Sequence, residues 1–111
     1  MRKNIIIFNK AFNPYFSIIT VVKNDQNNIQ KTIESITCQS CLDYEYIVID
    51  GKSIDKTVKK IPKYKKFINL LISEKDNGIY HAMNKGIKNS KGKVVVFVNS
   101  GDLLTKNALK I

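Results

Sequence analysis

Three short segments of this chain set an aspartate among glycine, serine and asparagine: Asp50-Gly51-Lys52-Ser53, Ser73-Glu74-Lys75-Asp76-Asn77 and Asn99-Ser100-Gly101-Asp102. A carboxylate in such surroundings accepts hydrogen bonds from a nucleobase N–H or a ribose hydroxyl. It also holds Mg2+ or Mn2+, usually as one or two carboxylates with the ligand's own phosphates completing the shell. A pyrophosphate leaving group needs such a cation, or fixed positive charge, as its bond breaks. Lys52, Lys75 and Lys85 are candidates for the fixed charge. Other chemistries lack their residues. Neither the phosphate-cradling Gly-x-x-x-x-Gly-Lys-Ser/Thr nor the dinucleotide Gly-x-Gly-x-x-Gly occurs, and the single histidine, His81, has no nucleophile-elbow motif to serve.

Cys38 and Cys41 have the spacing of a redox pair or of half a zinc site. A structural zinc site needs four ligands, and His81 lies forty residues downstream in a helical pattern. A redox pair belongs at a helix start, whereas this one falls at the far end of a helical segment and before a strand. Each acid also has a plainer role. Asp50 can cap the turn after a strand, Ser-Gly-Asp102 is a good turn by itself, and Asn84 and Gly86 can be the polar face and the close-packing position of a helix.

The elements that must position these residues follow from the period of the apolar side chains. Phe16 to Val22 is a β-branched run of the kind buried on both faces of a sheet. Asp25 can cap a helix in which Ile29, Ile33 and Ile36 recur. Tyr44 to Ile49 reads as a second buried strand, Asp55 to Lys66 as a weaker helix broken near Pro62, and Phe67 to Ile72 as a third strand. A helix from Gly78 to Asn89 carries Ile79, Met83 and Ile87, with Gly92 as its stop. Lys93 to Val98 reads as a fourth buried strand, and Thr105 as the start of one more helix. This alternation implies a parallel sheet, in which ligands sit beyond the carboxyl ends of the strands. The three acidic segments, together with Lys23-Asn24, are the residues that follow strands.

At 111 residues the chain fits one small domain, and 43% apolar with 25% charged residues is ordinary for a folded protein. The net charge of +10 is carried almost wholly by lysine, with seven lysines against one aspartate between Gly51 and Lys66. Such a surface attracts nucleic acid, anionic lipid or a phosphorylated ligand; a lysine-, asparagine- and isoleucine-rich composition also arises in a low-GC genome without selection for a partner. Nucleic acid is not expected, since neither stacking aromatics of the RNP type nor a helix-turn-helix pattern accompanies the charge. No run approaches the ~18 apolar residues that span a bilayer. Residues 1–14 read as a leader whose apolar segment is too short for a signal peptide, and the expected location is cytoplasmic.

In their order along the chain these segments resemble the family 2 glycosyltransferases from about Pro14 onward. Phe16-Ser-Ile-Ile-Thr20 is similar to that family's opening strand and Asn27 to Ile36 to its first helix. Tyr46-Ile-Val-Ile-Asp-Gly-Lys-Ser-Ile-Asp55 resembles its IIIDGGSTDGT segment. Ser73-Glu-Lys-Asp-Asn-Gly-Ile-Tyr-His-Ala-Met-Asn-Lys-Gly86 resembles SEPDxGIYDAMNKG, and Phe97-Val-Asn-Ser-Gly-Asp102 stands in the place of the metal-binding Asp-x-Asp region.

The resemblance implies a GT-A, Rossmann-like α/β fold: a mostly parallel sheet flanked by helices, here truncated, with residues 15–111 as a partial donor-binding domain. It implies inverting transfer of a sugar from a nucleotide-diphosphate donor, with a UDP-sugar expected first. The acceptor would be a glycan or lipid-linked molecule in surface polysaccharide synthesis, with peripheral contact at the inner face of the plasma membrane. By position, Thr20 and Asp50 would contact the nucleobase and Asp76 would help hold the donor. Asn84 and Lys85 would lie beside the pyrophosphate, and Asp102 would approach the ribose or hold Mn2+ or Mg2+ with the phosphates. The chain departs from the pattern at Lys52 and Lys56, where the family has glycine, at Ile54 for threonine and at His81 for aspartate. Asn99 and Gly101 replace acids, leaving Asp102 as the one carboxylate there. The catalytic base matches nothing here and is expected beyond Ile111. On that reading the chain binds a donor, or is a non-catalytic nucleotide-binding remnant or a subunit that needs a partner chain, with apolar sheet edges left uncovered.

Overall fold

The two longest β-branched runs pair with each other at the centre of the molecule. In a computed structural model that describes residues 5–8 and 13–109, Phe16–Val22 (β2) and Tyr44–Asp50 (β3) run parallel, in register from Phe16 opposite Tyr44 to Val22 opposite Asp50. Predominantly apolar runs suit strands covered on both faces, and nearly every residue of both strands is buried, including the polar Ser17, Thr20, Glu45 and Asp50. Leu70–Ser73 (β4) adds in parallel on the outer side of β3, and Val94–Phe97 (β5) in parallel on the other side of β2. The sheet order is therefore β1-β4-β3-β2-β5, with Ile5–Ile7 (β1) antiparallel at the β4 edge.

Helix Ile29–Thr37 (α1) covers one face. Its Ile29, Ile33 and Ile36 join Phe16, Ile18, Val22, Tyr46 and Val48 in the larger apolar core. Helix Ile79–Lys88 (α2) accompanies the other face, where Ala82 packs with Ile19, Ile47, Ile49 and Ile72. Gly86 brings this helix onto the sheet: a β-carbon there would stand 2.6 Å from Ile19 Cγ2.

Several sequence expectations change once long-range pairing is seen. The segment read as a leader supplies β1, because three isoleucines can complete the open backbone edge of β4, and the Phe8 N–H donates to Asn69 O at 3.0 Å; the rest of that reading, residues 1–4 and 9–12, lies outside the described residues. Residues 55–66 form two short 3-10 helices, Val58–Lys60 and Pro62–Tyr64. Pro62 has no N–H to carry an α-helix through the middle of the segment. The third strand starts at Leu70, not Phe67, since the Phe67 and Ile68 N–H groups bond back to Tyr64 O.

The fourth strand is not buried on both faces. Among the described residues it bonds to β2 alone, and Val94 and Val95 are each 37% exposed. Residues 106–109 form a turn instead of a helix. Gly92 does not end α2, which closes at Asn89. It lets the chain cross closely over Phe16 and Ser17. A buried acid secures that crossing: Glu45 accepts from the Ser17 hydroxyl and the Lys91 N–H, while Ser17 Oγ accepts from the Gly92 N–H at 2.7 Å.

Candidate donor-binding cleft

The sheet reverses its winding between β2 and β5. From β2 the chain moves outward through β3 and β4, then returns to β5 on the opposite side of β2. Two loops leaving adjacent strands in opposite directions open a crevice at the carboxyl ends, and a cleft of about 360 Å3 lies there. One wall is the end of β2 and the loop after it, Val21 to Asp25. Asn99 and Ser100 after β5 form a second, and Asp76, Gly78 and Ile79 at the start of α2 a third. Half-exposed Ile79, with Val21 and Val22, gives the cleft an apolar surface among its polar groups.

Local backbone chemistry fixes these walls. Asn24 and Lys52 both take positive φ, 50° and 60°, and the loops that contain them are stitched together. The Asn24 N–H donates to Ser53 Oγ at 2.7 Å and the Ile54 N–H to Asn24 Oδ1 at 2.8 Å. The Asp25 N–H donates to Thr57 Oγ1 at 2.9 Å. Asp55 accepts from the Gln26 and Thr57 N–H groups. The Thr57 hydroxyl, also donating to it, holds the Asp55 carboxyl below its ordinary range. A left-handed backbone costs a non-glycine residue about 1–2 kcal/mol, which explains why glycine is the residue expected at position 52; Lys52 takes that conformation at φ 60°. Lys52→Gly should therefore raise stability by roughly 0.5–1 kcal/mol after the added chain entropy of glycine. A higher midpoint in urea, with an unchanged slope, is the result that checks it.

On the opposite wall, Gly78 sits at φ 114°, ψ 177°, a conformation that L side chains rarely adopt. The Asp76 Oδ1 atom accepts from the Gly78 N–H at 3.1 Å. Gly51 makes room for the other oxygen: a β-carbon there would stand 2.8 Å from Asp76 Oδ2 and 3.3 Å from Lys23 Cδ. His81 Nδ1 accepts from the Asn77 N–H at 2.7 Å, so it holds the loop at the head of α2 in the way an aspartate acceptor would.

The six residues singled out by sequence divide into those at the cleft and those behind it. Asp76 lines it. Asp102 is exposed just past the Asn99–Ser100 wall, its N–H donating to Asn99 O at 2.8 Å. Asn84 is exposed on α2 outside the lining. Lys85 is turned away, its Nζ 3.2 Å from Glu74 Oε1 and 2.9 Å from Lys75 O. Thr20 and Asp50 do not reach the cleft as placed, because both are fully buried. Thr20 Oγ1 donates to Val98 O and takes the Tyr46 hydroxyl as its donor, each at 2.7 Å. Burial pushes the Tyr46 hydroxyl well above its usual range. Asp50 accepts from the Ser53 N–H at 3.0 Å, the Ser73 hydroxyl at 2.8 Å and the Ser53 hydroxyl.

Asp25 was read only as a helix cap. Its carboxylate touches no helix N–H; it accepts from Asn28 Nδ2 and Ser100 Oγ, each at 2.9 Å, and lines the cleft. The signal was its place two residues beyond Lys23 on the same strand exit. With Asp76 it gives the cleft two carboxylates, and with Asp102 it flanks Gly101, whose β-carbon would lie 3.9 Å from Asp25 Oδ2. Among the described residues no three His, Cys, Asp or Glu side chains form a metal cluster. This donor set fits a hard cation whose remaining ligands are phosphate oxygens.

The profile of "Glycosyl transferase family 2" matches residues 17–111. The chain is 37% identical over 90 residues to an uncharacterized glycosyltransferase of Mycobacterium tuberculosis, covering 80% of this chain and 34% of that protein. The crystal structure of Staphylococcus aureus TarS in complex with UDP-GlcNAc superimposes with a TM-score of 0.77 at 29% identity, over 86% of this chain and 29% of the other. The Pyrobaculum calidifontis mannosyltransferase crystallised with GDP-Man and Mn2+ shares the fold, with a TM-score of 0.77 at 22% identity, over 89% of this chain and 31% of that one. The chain thus spans about a third of each of these three chains, and 18% of the full TarS sequence.

Proposed function

Because the chain belongs to glycosyl transferase family 2, we propose that it is the nucleotide-sugar-binding part of an inverting glycosyltransferase. The donor is a nucleotide-diphosphate sugar, with UDP as the first nucleotide to test. The acceptor is a glycan or lipid-linked molecule in surface polysaccharide synthesis, met at the inner face of the cytoplasmic membrane. The observation that carries the reading is the cleft at the switch point between β2 and β5, walled by the segments that follow three strands. TarS, a poly(ribitol-phosphate) β-N-acetylglucosaminyltransferase, was crystallised with UDP-GlcNAc, and it superimposes on 86% of this chain.

In this reading the base and ribose lie against Ile79 and the Val21–Asp25 wall. Asp25 and Asp76 accept hydrogen bonds from donor N–H and hydroxyl groups, and Lys23 supplies positive charge within the cleft. Asp50 and Thr20 act from behind, holding Ser53 and the end of β2 in place. Lys85, from the middle of α2, ties the 74–75 loop down, and Asn84 lies exposed beside it on the same helix. Asp102 would hold Mn2+ or Mg2+ together with the donor's phosphates. Such a cation, when bound, neutralises charge developing on the pyrophosphate. The chain's own contribution is to bind and orient the donor. No helix among the described residues is long and apolar enough to cross a membrane.

Isothermal titration of the folded chain with UDP tests this directly. Binding is expected to tighten when Mn2+ is added and to weaken at least roughly tenfold, about 1.4 kcal/mol, in Asp76→Ala. A sample with native circular dichroism that binds neither UDP nor GDP, with or without Mn2+, would sink the donor-site reading and leave the fold without the function.

A further inference from the structure

Residues 52–67 form a basic face whose shape follows from four buried anchors. Thr57, Ile61, Tyr64 and Ile68 recur at helical spacing and are turned into the core. The Tyr64 hydroxyl also donates to Glu34 Oε2 at 2.6 Å, which pins the segment to α1. Most of the side chains between the anchors are therefore held outward; Lys60 is the exception among the lysines, half-buried with its Nζ donating to Gln26 O at 2.8 Å. Lys52, Lys56, Lys59, Lys63, Lys65 and Lys66 are all exposed. The segment's one carboxylate, Asp55, is engaged by Thr57 and Gln26 within the loop, and no other acid occurs from residue 56 to residue 73. Two apolar side chains project from the same stretch: Ile54, 92% exposed, and Phe67, 40% exposed. The Lys66 ammonium lies 6.0 Å from the Phe67 ring centroid.

We infer that this face docks on an anionic lipid surface, with the lysines meeting headgroups and Ile54 and Phe67 entering the interface. Charge complementarity selects a polyanion, and the apolar projections select lipid over nucleic acid. A nucleic-acid groove would reward stacking aromatics and bidentate arginines, whereas the one arginine of the chain, Arg2, is outside the segment. The face begins at the rim of the cleft, because Ile54 and Lys56 are bonded through their N–H groups to Asn24 and Gln26. Docking there brings the membrane to the edge of the donor cleft, where a lipid-linked acceptor would be presented. That last step rests on the donor-site reading; the docking itself does not.

Vesicle co-sedimentation without nucleotide separates the two. The chain should sediment with phosphatidylcholine vesicles that contain phosphatidylglycerol and stay in solution with phosphatidylcholine alone, and added salt should release it. Replacing Lys56, Lys59 and Lys63 together by Gln should lower the partition coefficient roughly a hundredfold. Ile54→Ser with Phe67→Ser should weaken binding while leaving its salt dependence in place. All five positions are exposed on the surface or held by backbone, so both variants should keep the native fold. Equal sedimentation with neutral and anionic vesicles, a triple variant that binds like the parent, or tighter binding to duplex DNA or RNA than to anionic vesicles at the same salt would each overturn the inference.

Discussion

Asp50→Ala is expected to lower stability by about 3 kcal/mol or more and to weaken UDP binding by more than roughly tenfold, or 1.4 kcal/mol. Asp50 is fully buried, and its oxygens take three hydrogen bonds, from Ser53 N–H, Ser53 Oγ and Ser73 Oγ. Truncation leaves those donors inside the protein without an acceptor, and bonds to a charged group are worth about 1.5–3 kcal/mol each. For a domain of this size the loss corresponds to a fall in Tm of on the order of 15 °C. The effect on binding is transmitted. Ser53 Oγ, held by Asp50, accepts the Asn24 N–H, and Asn24 is part of the cleft wall.

Asp50→Asn distinguishes positioning from direct contact. An asparagine placed with its carbonyl toward the Ser53 N–H and Ser73 hydroxyl keeps those two bonds, while its amide donates to Ser53 Oγ in place of accepting from it, and the Ser53 proton turns to solvent. UDP affinity within a few-fold of the parent is the expected result. Affinity as poor as that of Asp50→Ala, in a variant of parental stability, would show instead that the carboxylate itself meets the base.

Gly92→Ala tests the opposite end of the sheet. A β-carbon on Gly92 would lie 2.7 Å from Phe16 C and Ser17 N and 2.6 Å from Ser17 Oγ. Two of these three atoms are backbone within a central strand, so the conflict cannot be relieved by a rotamer change. Overpacking of this kind costs about 1–3 kcal/mol and occasionally more. Moving Gly92 away also breaks its hydrogen bond to Ser17 and disturbs the buried Glu45 that Ser17 and Lys91 share. We expect a total near 3 kcal/mol, read as a lower urea midpoint, with β5 the first strand to lose amide exchange protection. A variant as stable as the parent would mean that the 91–93 crossing is free to move outward.

The strands and helices that build the cleft were legible for a local reason. Phe16–Val22 and Tyr44–Asp50 are rich in β-branched and aromatic residues, and Ile29, Ile33 and Ile36 repeat at helical spacing, so each element's character is written in its own residues. Given alternating strands and helices, the rule that ligands lie beyond parallel strand ends located Lys23-Asn24, Asp76 and Asn99-Ser100 before any coordinates, and all of these line the cleft.

What the sequence alone could not show depends on partners far along the chain. Thr20 and Asp50 occupy the positions where the family's pattern places contacts to the base. Yet Thr20 is closed in by Tyr46 and Val98, 26 and 78 residues away, and Asp50 by Ser53 and Ser73. The apolar run at Val94–Phe97 looks as buried as β2, but a strand is covered only as far as its neighbours extend, and this one has a neighbour on one side alone. Ile5–Ile7 is too short to declare itself and is a strand only because β4 offers an unpaired edge. Asp25 has the same residue type whether it caps a helix or walls a cleft; the Ser100 hydroxyl, brought across from the end of β5, decides between them. Period and composition are properties of neighbouring residues, whereas solvent access and hydrogen-bond partnership are set by which distant segments the sheet brings together.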